Sequence, residues 1–539
     1  MYTWNNVNAI YQIYPRSFKD SNNDGIGDLK GIIEKLDYIK SLNNQENSLN
    51  VDAIWLSPFF LSPQKDCGYD ISDYLQIDPI FGNLNDFKTL LDEAHKRDIK
   101  ILLDLVPNHT SDKHPWFIES RKSKDNPYRD YYIWKDPKNG KYPNNWLSMS
   151  GGSMWQWDEN TKQYYLHSFL KSQPDLNWNN PKVREEIQNI MRYWLDLGVD
   201  GFRVDAVWAL SKDPDFKDNP INEATFSSPQ DFSSFINKNS KNGPNLKKYL
   251  KSLTDVLNEY QDRFMVFEFY PDSLLGDTYM QYQEIQDISN KSSVFYFELF
   301  ELTWWARKYQ ERLNLIFSKN YDNLPVVSLG NHDQPRIASR YGYGEAKALA
   351  LVQMTLPGIP QIYYGEELGM TDVDIKETEA YDNFGGNGFD LRDRVRTPFR
   401  WNNSNYGDFS SVKPWLPIGN NLETINVESE LKNQESFLSF YKKLLSIRKK
   451  EATLRNGKYE LLNNINDEIL SFKRISKDKE FYILVNFTDK NLEAPIPSPG
   501  KILVSTNPID NLYVNNEISL RAFEGVLIEK VKLNKEESI

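Results

Sequence analysis

"GFRVDA", residues 201–206, sets an arginine and an aspartate two positions apart in an otherwise apolar run, shortly after a glycine, Gly198, that closes a helical pattern. Such a run predicts a buried strand, and along a strand alternate side chains face opposite ways. Phe202 and Val204 share one face, Arg203 and Asp205 the other. In a parallel barrel the apolar pair meets the helix shell, and the charged pair points inward at the strand's carboxyl end. Taken alone, such a pair is as readily a buried ion pair that only fixes a barrel. The other strand ends have to decide.

Seven further β-branched or aromatic runs alternate with helical patterns: "NAIYQIY", "DAIWLSP", "KILLDLVPNHT", "FMVFEF", "SVFYFEL", "PVVSLGNHD" and "IPQIYYGEE". Eight strands separated by helices predict an α/β fold, a (β/α)₈ TIM barrel. In "REEIQNIMRYWLDLG" Ile187, Ile190, Met191, Trp194 and Leu195 make one apolar stripe, and Gly198 stands where a helix is capped. The third run, near Leu105, and the fourth, near Phe202, lie too far apart for one helix and two turns. A subdomain is therefore expected after strand 3, over 108–178, rich in Trp, Tyr, Asn and Gly. Polar excursions follow the fourth run (209–245) and the eighth (366–401), on the face where barrel enzymes carry their sites. A helix around 435–449 leads into "EILSFKRI", "EFYILVNF", "KILVST" and "EGVLIEK", which predict a C-terminal antiparallel β domain from about 455. The expected division is a barrel from 1–107 and 179–454, the insertion 108–178, and the β domain 455–539.

The chain has 539 residues, enough for a large core, and 14% are aromatic, which argues against disorder. Its formal net charge of -12 disfavours nucleic acid and anionic membranes, both of which call for a basic footprint. One cysteine, Cys67, excludes an intramolecular disulfide and fits a reducing compartment. The amino terminus shows no basic region followed by a long apolar one, and no later window approaches a membrane span. A cytoplasmic protein that binds a small molecule is expected.

The strand ends carry chemistry. "FMVFEF" ends on Glu268 among Phe264, Met265, Val266, Phe267 and Phe269, apolar surroundings that disfavour a charged carboxylate. Asp205, beside Arg203, is expected to stay ionised. One protonated and one anionic carboxyl group are what a glycosidase needs. His332 and Asp333 follow the seventh run, His109 the third, and Asp70 the second. A single His or Asp at a strand end is usually structural; five charged or titratable strand ends on one rim point to function.

These stretches resemble the characteristic regions of the α-amylase clan of glycoside hydrolases, family 13: "DLVPNHT", "GFRVDA", the glutamate strand "FEF" and "GNHDQPR". The α-glucosidase and oligo-glucosidase branch is closer still, through "IYQIYPRSFKDSNNDGIGDLKGI", "YYLHSFLKSQPDLNW" and "RDRVRTPFRW". The resemblance spans essentially the whole chain. It implies Asp205 as nucleophile, Glu268 as general acid and then base, and Asp333 as stabiliser of an oxocarbenium-like transition state. It further implies that Asp70, His109, Phe169, Arg203, His332 and Arg396 hold the reacting glucosyl unit. The product would be α-glucose, released from the non-reducing end of short α-glucosides by a retaining mechanism.

Two positions depart from the family pattern. Phe267 stands where a glycine usually precedes the acid/base glutamate, and Arg400 replaces a commonly neutral residue; both bear on pocket shape. Ala206 follows the nucleophile where relatives acting on α-1,6 bonds often carry valine, which favours α-1,4 substrates such as maltose. The same machinery serves oligo-1,6-glucosidases and sucrose- or trehalose-type isomerases and transglucosidases. A non-catalytic relative, such as a transporter heavy-chain ectodomain, is disfavoured because all three carboxylates are present and no membrane span is seen.

In "DSNNDGIGD" Asp20, Asn22 and Asp24 occupy positions one, three and five of a calcium-loop spacing, with Ile26 at seven and Asp28 at nine. Position twelve is Gly31, so the glutamate of an EF-hand is missing, and an Asx-rich turn has the same appearance. Relatives of the resembled branch carry a structural metal here, which implies Ca²⁺, with Mg²⁺ as the alternative, and no organic cofactor.

Overall fold

The computed structural model describes residues 4–300, 302–318, 325–382, 384, 392–462, 466–509 and 511–531. All eight runs are strands of one closed parallel barrel: β1 (Ile10–Ile13), β2 (Ala53–Leu56), β3 (Lys100–Leu105), β4 (Gly201–Val204), β5 (Phe264–Phe267), β6 (Ser292–Tyr296), β7 (Val326–Ser328) and β8 (Ile359–Tyr363). Neighbours follow chain order, and β8 closes on β1. Val204 lies opposite Leu105 on one side and Phe267 on the other, so β3, β4 and β5 end level. Residues that follow these three strands therefore converge on one rim.

Alternation sorts the side chains as a two-residue period requires. Phe264 and Val266 join Trp55, Leu102 and Phe295 inside the barrel, whereas Met265 and Phe267 pack into the surrounding shell. Phe267 thus faces the helices and leaves the rim uncrowded. Gly201 opens β4 because only glycine fits: a Cβ there would sit 1.8 Å from the Phe264 carbonyl oxygen, which belongs to the barrel ladder. The helix before it, α1 (Pro181–Asp196), starts with the Asn180 side chain accepting the Lys182 N–H at 3.0 Å and buries the predicted stripe. Gly198, at φ +106°, turns the chain into the barrel.

Between β3 and β4 lies a three-stranded antiparallel sheet (Trp134–Lys135, Trp155–Asp158, Gln163–Leu166) with its own apolar centre of Ile133, Trp146, Met154, Trp155 and Leu166. The excursion after β4 is sewn to it. Phe216 stacks on Trp146 at 5.5 Å, and the Trp146 indole donates to the Lys217 carbonyl at 2.8 Å. Buried Lys212 donates to Asp175 at 2.6 Å and to Asn108 at 3.2 Å, tying that excursion to the loop that leaves β3.

The C-terminal part is a six-stranded sheet facing a two-stranded one across a core that includes Ile469, Tyr482, Leu484 and Ile528. Its other face, with Phe472, Phe481 and Val485, belongs to the main core. The four predicted runs are strands; Lys458–Leu461, Leu492–Pro495, Tyr513–Val514 and Glu517–Leu520 add to them. The helix α2 (Phe437–Lys450) joins this part to the barrel through buried Arg448, whose guanidinium donates to the carbonyls of Asn8, Met354, Leu356, Leu454 and Gly358. Among the described residues no helix is long and apolar enough to cross a membrane.

Candidate active site

A cavity of about 350 Å³, in the size range of small-molecule pockets, opens at the carboxyl ends of the strands. Asp205, Glu268 and Asp333 line it, with His109 and Phe169. The three carboxylates come from the ends of β4, β5 and β7, so it is the barrel that brings together residues distant in sequence.

Arg203 lies beneath them, 1% exposed. Its Nη1 donates to Asp104 and Asp205, each at 2.7 Å, and its Nη2 contacts Glu268 at 2.8 Å. The guanidinium also lies 5.0 Å from the Trp55 ring centre. Asp104 is positioned by register, since it pairs directly with Arg203 across β3 and β4. Asp104 further accepts from Trp55 Nε1 at 3.1 Å and Tyr69 OH at 2.9 Å. Glu268 accepts the Ala206 N–H at 2.7 Å, a contact made possible by the left-handed Ala206 backbone (φ +43°, ψ +43°).

This geometry corrects one expectation. Asp205 has no cation to itself, and Glu268 is not left in an apolar wall: both take the same guanidinium. Three carboxyl groups therefore share one positive charge. Burial pushes Asp104 up to about 6 and Asp205 well up, against the pull of Arg203, and Glu268 raises both further. Sharing one guanidinium leaves buried Asp104 and Asp205 easier to protonate than free carboxyl groups.

Asp333 is in a different field. Its Oδ1 accepts from Arg396 at 2.8 Å and from Arg392 at 3.1 Å. Burial favours its neutral form, but the charges of Arg392 and Arg396 outweigh this and hold Asp333 well below the usual carboxylate range. His332 stacks on Tyr69, with ring centres 5.3 Å apart, and its Nε2 is 2.6 Å from the Tyr69 hydroxyl. Its Nδ1 is 2.9 Å from Gln12 Nε2, an amide donor, so the Nε2–H tautomer satisfies the network. Burial keeps His332 neutral, and it lowers His109 to about 4.

Four sugar-holding residues expected from the sequence are placed differently. Asp70 is fully buried away from the cavity: Ser62 Oγ and the Asp66 N–H donate to its Oδ1, and the Lys65 N–H to its Oδ2. The carboxylate in the cavity is Asp66, because positive φ at Cys67 (+49°) and Gly68 (+105°) reverses the chain between the two aspartates. Arg396 does not line the cavity either. Its Nε donates to the His332 carbonyl at 2.8 Å and its Nη2 to Asp333, so it holds that loop from behind. Arg392, four residues earlier, is the arginine in the cavity. Arg203 and His332, nearly fully buried, lie beneath the lining rather than in it.

Arg392 is held in the cavity wall by acids. It contacts Asp66 at 2.6 Å and Asp382 at 2.7 Å, besides Asp333. Phe384 covers its guanidinium at 4.3 Å and continues into Phe169, which in turn meets Trp208 and His109. Trp155 and Trp178, further along the insertion, are buried core. Arg400 is buried outside the site, donating to the carbonyls of Ile418 and Asn420, so it orders a loop.

In the loop at 20–28, Asp20 and Asp28 are 2% and 4% exposed and, among the described residues, form no ion pair with a basic side chain. Asp20 accepts the N–H groups of Asn22, Asn23 and Gly25, and Asp28 those of Ser21 and Gly31. Asp24 accepts from Ile26 N–H, and Asn22 Oδ1 from Asp24 N–H. Among the described residues no group of three or more His, Cys, Asp or Glu is gathered as a metal cluster. The donor set, hard oxygens with two buried carboxylates lacking a counter-cation, nonetheless fits a small divalent cation.

Residues 12–457 match the family described as alpha amylase, catalytic domain. An oligo-1,6-glucosidase of Parageobacillus thermoglucosidasius is 39% identical, over 98% of this chain and 99% of that protein. An alpha-glucosidase of Schizosaccharomyces pombe is 35% identical over 98% of each. A solved structure of a mutant isomaltulose synthase from Erwinia rhapontici, with its natural substrate sucrose bound, superposes with a TM-score of 0.86 at 33% identity, covering 98% of both chains.

The exchange of roles between Asp66 and Asp70 predicts that Asp66→Asn lowers kcat/KM for p-nitrophenyl α-glucoside about a hundredfold, because losing a charged acceptor for the glucosyl hydroxyls costs up to ~3 kcal/mol. Asp70→Asn is predicted to change kcat/KM much less and to act through the melting temperature. Steady-state kinetics and thermal unfolding of the two variants check this.

Proposed function

Because the chain belongs to the alpha-amylase family of glycoside hydrolases, we propose that it is a retaining, exo-acting α-glucosidase that takes glucose from the non-reducing end of short α-glucosides. The observation that carries the reading is the sharing of Arg203 by Asp205 and Glu268, which keeps two carboxyl groups within reach of one anomeric centre. Retaining chemistry requires such a pair about 5 to 5.5 Å apart. Glu268 gives its proton to the glycosidic oxygen as that C–O bond breaks, and Asp205 attacks the anomeric carbon. Glu268 then takes a proton from water, which displaces Asp205 and restores the α-configuration. Asp333, held ionised by Arg392 and Arg396, faces the positive charge that develops on the ring in both steps. The Asp66–Arg392 pair in the cavity wall, locked by Asp382, supports terminal rather than internal cleavage.

Maltose and malto-oligosaccharides are the preferred substrates in this reading. Ala206 lines the cavity with φ +43°, and a β-branched valine in that conformation is disfavoured. The second reading, an oligo-1,6-glucosidase, is favoured by the names of several relatives. The loop at 20–28 takes Ca²⁺, or Mg²⁺, in a structural role. We place the protein in the cytoplasm, which its one buried cysteine fits, and divide it into barrel, insertion and β domain at 108, 178 and 455.

Product analysis by NMR separates the readings. Maltose is expected to give glucose first as the α-anomer, with slower attack on isomaltose; faster attack on isomaltose selects the second reading, and rearranged disaccharides from sucrose without net glucose select an isomerase. Removal of divalent cations with a chelator is expected to lower the melting temperature, with Ca²⁺ restoring it; a melt unmoved by chelator defeats the metal assignment.

A further inference from the structure

We propose that Lys241 is a specificity residue for the leaving group, binding the hydroxyls of a neutral second sugar; the inference rests on the α-glucosidase reading. Lys241 lines the catalytic cavity, and its ammonium meets Asp272 at 3.0 Å. The two come from different loops: Lys241 from the excursion after β4, Asp272 four residues beyond Glu268.

Both loops are held in place. The Leu274 N–H donates to Asp272 Oδ1 at 3.0 Å, and Gln281 bonds both the N–H and the carbonyl of Asp272, at 2.8 and 2.9 Å. Beside Lys241, the N–H groups of Asn242 and Gly243 donate to Trp208 and Ser211, each at 2.8 Å. Gly243 packs so closely that a Cβ would lie 2.6 Å from the Lys212 carbonyl oxygen. The ammonium is therefore presented at a set position rather than on a loose arm.

Its side follows from the chemistry. Asp66 and Arg392 line the part of the cavity that, in the α-glucosidase reading, receives the non-reducing sugar. Glu268 delivers its proton to the leaving oxygen, and Tyr270 and Pro271, two and three residues further on, line the cavity beside Lys241. A leaving sugar must pass this wall. Of the three ammonium N–H groups, Asp272 engages one, leaving two for acceptor oxygens. Phe232 and Tyr270 offer the apolar surface against which a pyranose packs. Since Asp272 already balances the charge of Lys241, the pair suits uncharged hydroxyls rather than a phosphorylated sugar, whose two negative charges would meet no net positive field.

The test compares two substrates on Lys241→Met: the disaccharide, maltose or isomaltose, that the unsubstituted protein cleaves faster, and α-glucosyl fluoride, whose leaving fluoride is too small to reach Lys241. Hydrogen bonds from a charged donor predict a loss of about tenfold or more in kcat/KM for the disaccharide and less than about twofold for the fluoride. Lys241→Arg, which keeps a cation and its donors, is expected to recover most of the disaccharide rate. Equal losses on both substrates would mean that the Lys241–Asp272 pair only pins the loops, and no loss on either would mean that the leaving sugar ignores it; each overturns the proposal. Failure of the unsubstituted protein to release glucose from any α-glucoside would instead defeat the glucosidase reading.

Discussion

A guanidinium cut off from water must find its counter-charges inside the protein, and Arg203 finds three at the mouth of the barrel. Taking one of them away would leave a buried charge short of a partner, at a cost of about 3 to 5 kcal/mol. The arginine therefore fixes Asp104, Asp205 and Glu268 relative to one another, and with them the ends of β3, β4 and β5. The surroundings of Arg203 reinforce this: Trp55 faces the guanidinium and also holds Asp104, while Tyr69 joins Asp104 to His332. Position in the barrel and electrostatics are two aspects of one constraint.

The site has two electrostatic halves with different tasks. Around Arg203 three carboxyl groups share one cation, and burial makes Asp104 and Asp205 easier to protonate than free carboxyl groups. Around Asp333 the arginines Arg392 and Arg396 stand close by, so that carboxylate keeps its charge. A glycosidase needs a proton for the leaving oxygen and a lasting negative charge near the oxocarbenium-like ring. The fold sets the two halves apart by distributing its arginines unequally among similar acids. For the fold itself, Asp333 is a group with a lowered folded pKa, so the stability it contributes is present above the unfolded value and is lost as the pH falls towards the folded one.

The architecture was legible because its signals are strong and local. Eight apolar runs, the stripe of Ile187, Ile190, Met191, Trp194 and Leu195, and the long interval after Leu105 anticipate the barrel, its helices and the insertion. Inward and outward faces of β4 and β5 follow from alternation alone, which also explains why Phe267 leaves the cavity clear. Loop residues escaped the same logic. Asp66 and Asp70 flank a turn set by positive φ at Cys67 and Gly68, and Arg392 and Arg396 bracket a short 3₁₀ turn, Arg392–Val395; no periodicity chooses between members of such pairs. The strands Lys458–Leu461 and Leu492–Pro495 were hidden because they are short and polar, the second ending in proline. The partner of Glu268 was hidden too, since an apolar sequence neighbourhood says nothing of an arginine arriving from the next strand.

The central claim is that the barrel and Arg203 present Asp205 to the anomeric carbon while Glu268 handles the proton. Trapping the covalent intermediate tests it most directly. The protein is incubated with a ring-fluorinated α-glucosyl fluoride, which forms the glycosyl-enzyme but slows its hydrolysis, and digested for mass spectrometry. The account predicts one glucosyl adduct, on Asp205. An adduct on Glu268 or Asp333, or turnover that produces β-glucose with no adduct, would contradict it.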